Sequence, residues 1–235
     1  MRPPSYADGV TITAAELAKT IDHSPLKPGL TISEVLASCE VAARYDVASV
    51  CCRPVDVARC RDALAGTDVL VGTVIGFPHG SHLTATKVFE AERAIEQGAV
   101  ELDMVLQIGL LRSGRLDEVE ADISAVVTAA GDAAIVKVIL ENTFLSDDEK
   151  VAGCRAAELA GAPYVKTSTG YGPSGATLGD VRLMRATVSS DVKVKAAGGI
   201  RTLDEVIAFL DAGADRCGTS ATAAILDELA ARAGG

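Results

Sequence analysis

Residues 160–172 read Ala-Gly-Ala-Pro-Tyr-Val-Lys-Thr-Ser-Thr-Gly-Tyr-Gly. A helix stop at Gly161 runs straight into a short apolar strand, which ends in Lys166 and a Ser/Thr/Gly loop. The junction nearly repeats as Gln97-Gly98-Ala99-Val100 and as Ala212-Gly213-Ala214-Asp215. A helix that stops on glycine and hands over to a strand, again and again, marks a chain of alternating α and β units.

Working outward, the same alternation fills the chain. Strands are expected at 17–22, 48–52, 69–75, 100–105, 134–140, a run closing at Val165-Lys166, 192–196 and 215–218. Helices fall between them. Thr31 and Glu34, Ser146 and Glu149, and Thr202 and Glu205 have capping-box spacing. Val35, Leu36, Cys39, Ala42 and Ala43 share one helical face, as do Val119, Ile123, Val126, Val127 and Ala130. Eight units of roughly 30 residues, with no linker or composition break, imply an α/β fold: a (β/α)8 TIM barrel. Residues 1–16 are expected to be a short N-terminal extension and 17–235 a single barrel domain. The competing architecture, a doubly wound open sheet, would more often carry a Gly-x-Gly-x-x-Gly turn after its first strand, and none is present.

Composition narrows the partners. The chain has 235 residues, is 49% hydrophobic but only 3% aromatic, and lacks Trp, so Ala, Val, Leu and Ile build its core. A net charge of −10 argues against nucleic acid. No apolar run reaches the length of a membrane span, and Met1 to Thr20 lacks the basic start and apolar core of a signal peptide. A cytoplasmic location and a small-molecule substrate are therefore expected. The six cysteines (39, 51, 52, 60, 154 and 217) sit mostly in apolar segments without zinc-ligand spacing and read as reduced, buried thiols. Exposed apolar positions on outer helices are compatible with a homo-oligomer, a dimer being the expectation.

Catalysis in such a barrel sits at the C-terminal ends of the strands. Those ends carry Asp22, Cys51, His79, Asp103, Lys137 with Glu141, Lys166 and Lys195, although the strands themselves are apolar. An ammonium is expensive to desolvate, so a lysine there is kept for chemistry. Lys166 and Lys195 lie on neighbouring strands, where a second ammonium and burial both lower the pKa of the first and free an amine to add to a carbonyl. Asp103 shares a strand face with Glu101 and is placed to move protons, the competing role being charge balance. Lys193, deeper on the strand of Lys195, is expected to pair with Glu101. His79 and His82 lack the carboxylates of a metal site and are assigned to the loop. His23 is read as a turn residue and Cys51 as substrate lining. Ala197-Gly198-Gly199-Ile200-Arg201-Thr202 opens a helix whose N–H groups and dipole favour an anion, with Gly218-Thr219-Ser220 and Gly170 to Gly175 as further edges. A phosphorylated sugar held over Lys166 fits this pattern. A sugar-phosphate sensor without catalysis is the alternative, but it has no use for two converging lysines and an aspartate.

The motifs Ile-Asp-His-Ser-Pro-Leu-Lys-Pro (21–28), Ser-Val-Cys-Cys-Arg-Pro (49–54), Gly-Thr-Val-Ile-Gly-Phe-Pro-His-Gly (72–80), Glu-Leu-Asp-Met-Val (101–105), Lys-Val-Ile-Leu-Glu (137–141), Val-Lys-Thr-Ser-Thr-Gly (165–170) and Val-Lys-Ala-Ala-Gly-Gly-Ile-Arg-Thr (194–202) occur in order. Together they resemble the deoxyribose-phosphate aldolase family over residues 17–225. The resemblance implies a class I aldolase without metal or other cofactor, which cleaves 2-deoxy-D-ribose 5-phosphate to acetaldehyde and D-glyceraldehyde 3-phosphate. It implies Lys166 as the Schiff-base lysine, Lys195 as the lysine that perturbs it, and Asp103 as acid/base through water. It implies Asp22 and Lys137 in the proton network, Asp22 and Cys51 along the substrate channel, Thr167 among the binding residues, and Gly170, Gly198, Gly199, Gly218 and Ser220 around the phosphate. A class I aldolase for another small phosphosugar is the nearest alternative. The chain departs from the family at Ser24-Pro25, where Thr-Leu is common, and at Ala221, where a second serine is common. It also ends without the C-terminal tyrosine of some members, which leaves proton transfer to Asp103 and Lys195.

Overall fold

The computed structural model describes residues 12–233. Helix α1 (Ala14–Ala18) precedes β1 (Ile21–His23), followed by α2 (Ile32–Tyr45), β2 (Ser49–Cys52), α3 (Val57–Ala63) and β3 (Leu70–Ile75). Next come α4 (Thr84–Glu96), β4 (Glu101–Val105), α5 (Ile108–Arg112), α6 (Leu116–Ala130), β5 (Ile135–Ile139) and α7 (Asp147–Leu159). The chain continues with β6 (Tyr164–Lys166), α8 (Leu178–Thr187), β7 (Lys193–Ala197), α9 (Leu203–Asp211), β8 (Arg216–Thr219) and α10 (Thr222–Ala233). The eight strands pair in parallel, in chain order, and β8 closes on β1. This is the (β/α)8 barrel expected from the alternation. No helix among the described residues is long and apolar enough to cross a membrane.

Local chemistry sets the element ends. The boxes Thr31/Glu34, Ser146/Glu149 and Thr202/Glu205 all form, each hydroxyl accepting from the third residue's N–H while that residue's carboxylate returns the bond. Such a cap contributes about 1 kcal/mol. A fourth box, Thr13/Glu16, corrects the strand expected at 17–22. It starts α1, so Leu17 is helical and only Ile21–His23 is strand. The expected boundary at residue 16 thus falls inside a helix, and most of the expected extension lies outside the described residues.

Alternation along each strand divides the buried residues into two chemically different cores. Val50, Cys52, Val71, Ile75, Leu102, Met104, Val136, Val138, Val165, Val194, Ala196 and Cys217 face outward and join the helices in one apolar cluster. Burying that ring against the helices is the main drive to fold. The opposite parity faces the lumen, and there the buried residues include Asp22, Glu101, Asp103, Lys137, Lys166 and Lys195. Strand register aligns Asp103 with Lys137, Lys166 with Lys195, and Lys195 with Arg216, so these side chains point inward side by side. Small residues make room for them. A Cβ on Gly72 would lie 3.1 Å from that of Glu101, and one on Gly218 would lie 3.3 Å from Cε of Lys195.

Candidate active site

The lumen holds one continuous charge cluster. Lys166 and Lys195 each place Nζ 2.7 Å from Oδ2 of Asp103. Two amines that share one oxygen can be no farther apart than twice that distance. Lys137 reaches the other oxygen of Asp103 at 3.0 Å and Oε2 of Glu101 at 2.6 Å. Lys195 also meets Asp22 Oδ2 at 2.5 Å. Below them Arg216, from the start of β8, bridges Asp22 Oδ1 at 2.9 Å and Glu101 Oε1 at 2.6 Å. Ser49 donates to Asp22 Oδ1 at 2.8 Å.

The cluster contains the carboxylates of Asp22, Glu101 and Asp103 but the cations of Lys137, Lys166, Lys195 and Arg216. Fully ionised, it would hold one surplus positive charge in a dry lumen, which is unfavourable. The proton most easily given up is at Lys166. Burial depresses its pKa first, Asp103 opposes this, and Lys195 depresses it further. Burial would also lower Lys195 and Lys137, but Asp103 and Asp22 overcome it and hold both well above the ordinary lysine value. Burial would raise Asp103 and Asp22, yet the surrounding cations hold both carboxyls well down. Among the lysines of the cluster, Lys166 is therefore the one whose proton is held least tightly, beside two ammonium groups and an aspartate held ionised.

Lys166 is also the member of the cluster that borders open space. A cavity of about 920 Å3 at the C-terminal end of the barrel is lined by Lys166, Gly170, Gly198, Gly199, Gly218 and Ser220, among others. Asp103, Lys195, Lys137, Asp22 and Cys51 lie behind that wall rather than along it. Cys51 Sγ sits 3.8 Å from Asp103 Oδ2, and burial together with that carboxylate pushes its thiol up to about 11. Thr167 exchanges hydrogen bonds with the backbone of Ala197, tying the ends of β6 and β7 together. The loops above them touch backbone to backbone: a Cβ on Gly175 would fall 2.0 Å from the Gly198 carbonyl oxygen. Gly198 and Gly199 take φ of 90° and 84°, a region costly for any side chain.

Two helix openings border this cavity, and their backbone N–H groups are not equally free. The N-terminus of α9 is already occupied, because Glu205 Oε2 accepts from the Arg201 and Thr202 N–H groups at 2.8 and 3.0 Å. The residues read as an anion seat also form a capping box, which takes the Arg201 and Thr202 N–H groups. The opening of α10 also borders the cavity. Ser220, Ala221, Ala223 and Ala224 border the cavity, and the helix dipole there points its positive end inward. His23 is not a turn residue either. It ends β1, is buried, places Nδ1 2.9 Å from the Thr222 hydroxyl, and is pushed down to about 4 by burial.

The pair expected between Lys193 and Glu101 does not form. Lys193 is the exposed first residue of β7 and rests over the Tyr164 ring at 5.6 Å. A long side chain at a strand start reaches solvent more cheaply than it crosses a lumen. Glu101 is neutralised by Lys137 and Arg216 instead. The sequence reading missed Arg216; its only signal was a cation of inward parity opposite Lys195. The sequence alone assigns Glu141 no role. It is buried in a left-handed backbone conformation and accepts from both the N–H and the hydroxyl of Thr169, which pins the loop after Lys166.

A family model described as DeoC/LacD family aldolase matches residues 14–226. A deoxyribose-phosphate aldolase of Streptococcus equi subsp. zooepidemicus is 52% identical over 216 residues, 92% of this chain and 98% of that protein. A solved chain from Coccidioides immitis, provisionally described as a deoxyribose-phosphate aldolase, is 45% identical with a TM-score of 0.90, covering 93% of this chain and 87% of its own. The deoxyribose phosphate aldolase of Aeropyrum pernix, described as tetrameric, is 31% identical with a TM-score of 0.87, covering 94% and 93%.

Proposed function

Because the chain belongs to the DeoC/LacD aldolase family, we propose that it is a lyase that reversibly cleaves 2-deoxy-D-ribose 5-phosphate to acetaldehyde and D-glyceraldehyde 3-phosphate. The carrying observation is a lysine with a depressed pKa that alone among the cluster's lysines meets the cavity, with an ionised aspartate at 2.7 Å.

The chemistry follows from that placement. In the cleavage direction the neutral Nζ of Lys166 adds to the substrate's aldehyde carbon, and the carbonyl oxygen takes up a proton to give a carbinolamine. Loss of water leaves a protonated Schiff base, whose positive nitrogen is an electron sink. A base removes the proton from the C3 hydroxyl, the C2–C3 bond breaks, and its electron pair flows to the iminium nitrogen as an enamine. Glyceraldehyde 3-phosphate leaves. Protonation of the enamine carbon and addition of water then release acetaldehyde and return the amine. Asp103, in contact with both Lys166 and Lys195, is positioned to relay these protons through water, and Lys195 keeps the free amine neutral. Asp22 and Lys137 hold Asp103 and Lys195 in register. Backbone N–H groups around Gly170, Gly198, Gly199 and Gly218, with the hydroxyl of Ser220, hold the phosphate at the α10 opening.

The protein is assigned to the cytoplasm, in keeping with free thiols at all six cysteines. It is assigned as a dimer, with exposed Leu83, Phe89 and Leu159 offering apolar area to bury. The decisive experiment is reductive trapping. Acetaldehyde with borohydride should attach an ethyl group at Lys166, and Lys166→Leu should lose both trapping and turnover while melting no lower than the parent. A parent protein that remains unlabelled would rule out the aldolase.

A further inference from the structure

Beneath the reacting lysine lies a second charged layer that the chemistry above does not use. Arg216 enters from the first residue of β8 and is half-buried, with Nε 2.9 Å from Asp22 Oδ1 and a terminal nitrogen 2.6 Å from Glu101 Oε1. Glu101 in turn holds Lys137 at 2.6 Å, and Lys137 holds Asp103 at 3.0 Å. A continuous path of ion pairs thus runs from Arg216 to the carboxylate that touches Lys166. Arg216 has no contact with the cavity.

We propose that Arg216 and Glu101 are a positioning pair that sets the protonation state of Lys166 from below, with Arg216 supplying the cation that puts the lumen one positive charge out of balance. The inference rests on the Schiff-base assignment of Lys166. Its physical content is charge neutrality. Three carboxylates can balance three cations in a low-dielectric space. With Arg216 present and permanently charged, the three lysines are one proton too many, and the lysine facing open space gives it up. Without Arg216, the lysines match the carboxylates and Lys166 has less reason to deprotonate. Without the charge of Glu101 the surplus grows, and the ammonium at Lys166 becomes still less favourable.

The groups that bear on this balance are Asp22 from β1, Cys51 from β2, Glu101 and Asp103 from β4, and Lys137 from β5 with Glu141 just after it. Lys195 from β7 and Arg216 from β8 complete them, with Tyr164 beside Lys166 on β6; β3 contributes Gly72 and Val74, which carry no charge. The thiol of Cys51 is protonated at neutral pH, and Glu141 is turned toward Thr169. Neither is in ion-pair contact with the cluster's cations, although Lys166 is among the charges that act on Glu141.

The test is the pH dependence of labelling at Lys166 by acetaldehyde and cyanoborohydride, read by mass spectrometry beside the acid limb of kcat/KM. Arg216→Met should move both midpoints to higher pH. Glu101→Gln should move both to lower pH. Each shift should be on the order of one pH unit, the effect of one buried charge at an effective dielectric of about 20. Arg216→Lys retains the cation and should leave both midpoints in place. Opposite shifts cannot arise from general loosening of the barrel, which would move the two variants alike. Shifts in the same direction, or midpoints that stay put in folded variants, would overturn the counterbalance while leaving the Schiff base standing. A parent that is not labelled at any pH would instead remove the assignment of Lys166.

Discussion

Replacing Lys195 by Met tests whether a second cation depresses the pKa of Lys166. The two Nζ atoms share Asp103 Oδ2 at 2.7 Å each, which caps their separation. At that cap and an effective dielectric of about 20, the repulsion between two ammonium groups is roughly 3 kcal/mol, or about two pKa units. Met fills a similar volume without the charge. The substitution also leaves Asp103 Oδ2 to Lys166 alone, which favours the ammonium further, so two units is a lower bound. The pKa of Lys166 should therefore rise by at least about two units.

The sign is fixed by the chemistry. Only the free amine adds to a carbonyl, so below its pKa the activity climbs about tenfold per pH unit. On the acid limb, below the parent's Lys166 pKa, kcat/KM in Lys195→Met should fall by about 100-fold or more. The deficit should shrink as pH rises and nearly vanish well above neutrality. Asp22 keeps Arg216 at 2.9 Å and Ser49 at 2.8 Å, so this buried carboxylate retains partners. The assay is a pH series of initial rates alongside thermal melts. A loss of equal size at every pH would refute the electrostatic role and make Lys195 a proton donor or a structural group.

Other substitutions probe the frame around the site. Asp122→Ala should lower stability by about 3–5 kcal/mol, because it strands the buried ammonium of Lys87, which meets Asp122 at 2.6 Å and the Val105 carbonyl at 2.9 Å. The double variant Lys87→Met/Asp122→Leu should recover most of that loss in a denaturant titration. Ala221→Ser restores a hydroxyl at the opening of α10 beside Ser220; KM for the phosphorylated substrate should drop several-fold with kcat little changed, and KM for an unphosphorylated aldehyde should not move.

The sequence made the barrel legible because its two periodicities seldom conflict. Helical faces repeat at three and four residues, strands alternate, and glycines punctuate the change. Lys166, Lys195 and Asp103 were legible for a related reason: a charge inside an otherwise apolar strand has no cheap explanation. Arg216 begins its strand next to Asp215 and reads as a surface residue, so nothing local marks it. Pairing Glu101 with Lys193 failed because parity fixes a face but not which lumen residue lies across from which. That depends on the stagger of the closed barrel. The Thr202/Glu205 box and the proposed anion seat used the same residues, and sequence does not say whether an N-terminus is met by its own glutamate or by a ligand. Lys87 sits on an amphipathic helix and would be taken for solvent-facing, yet it is fully buried.

The two cores explain how one chain tolerates such a site. A cluster of charges out of water is a liability wherever it stands. Here it stands inside a ring of strands whose outward faces are packed against helices, so cohesion does not depend on the lumen. Because burial lowers the pKa of Lys166, its ionisation costs stability below the unfolded lysine value, and that cost falls as pH rises through it. Lys195, with its pKa raised, contributes in the opposite sense: its stabilisation is full below the unfolded lysine value and lost only above it. Lys195 and Asp103 thus offset part of what Lys166 costs. A stable core outside and a strained charge balance inside let the proposed reactive amine have its pKa lowered without the barrel coming apart.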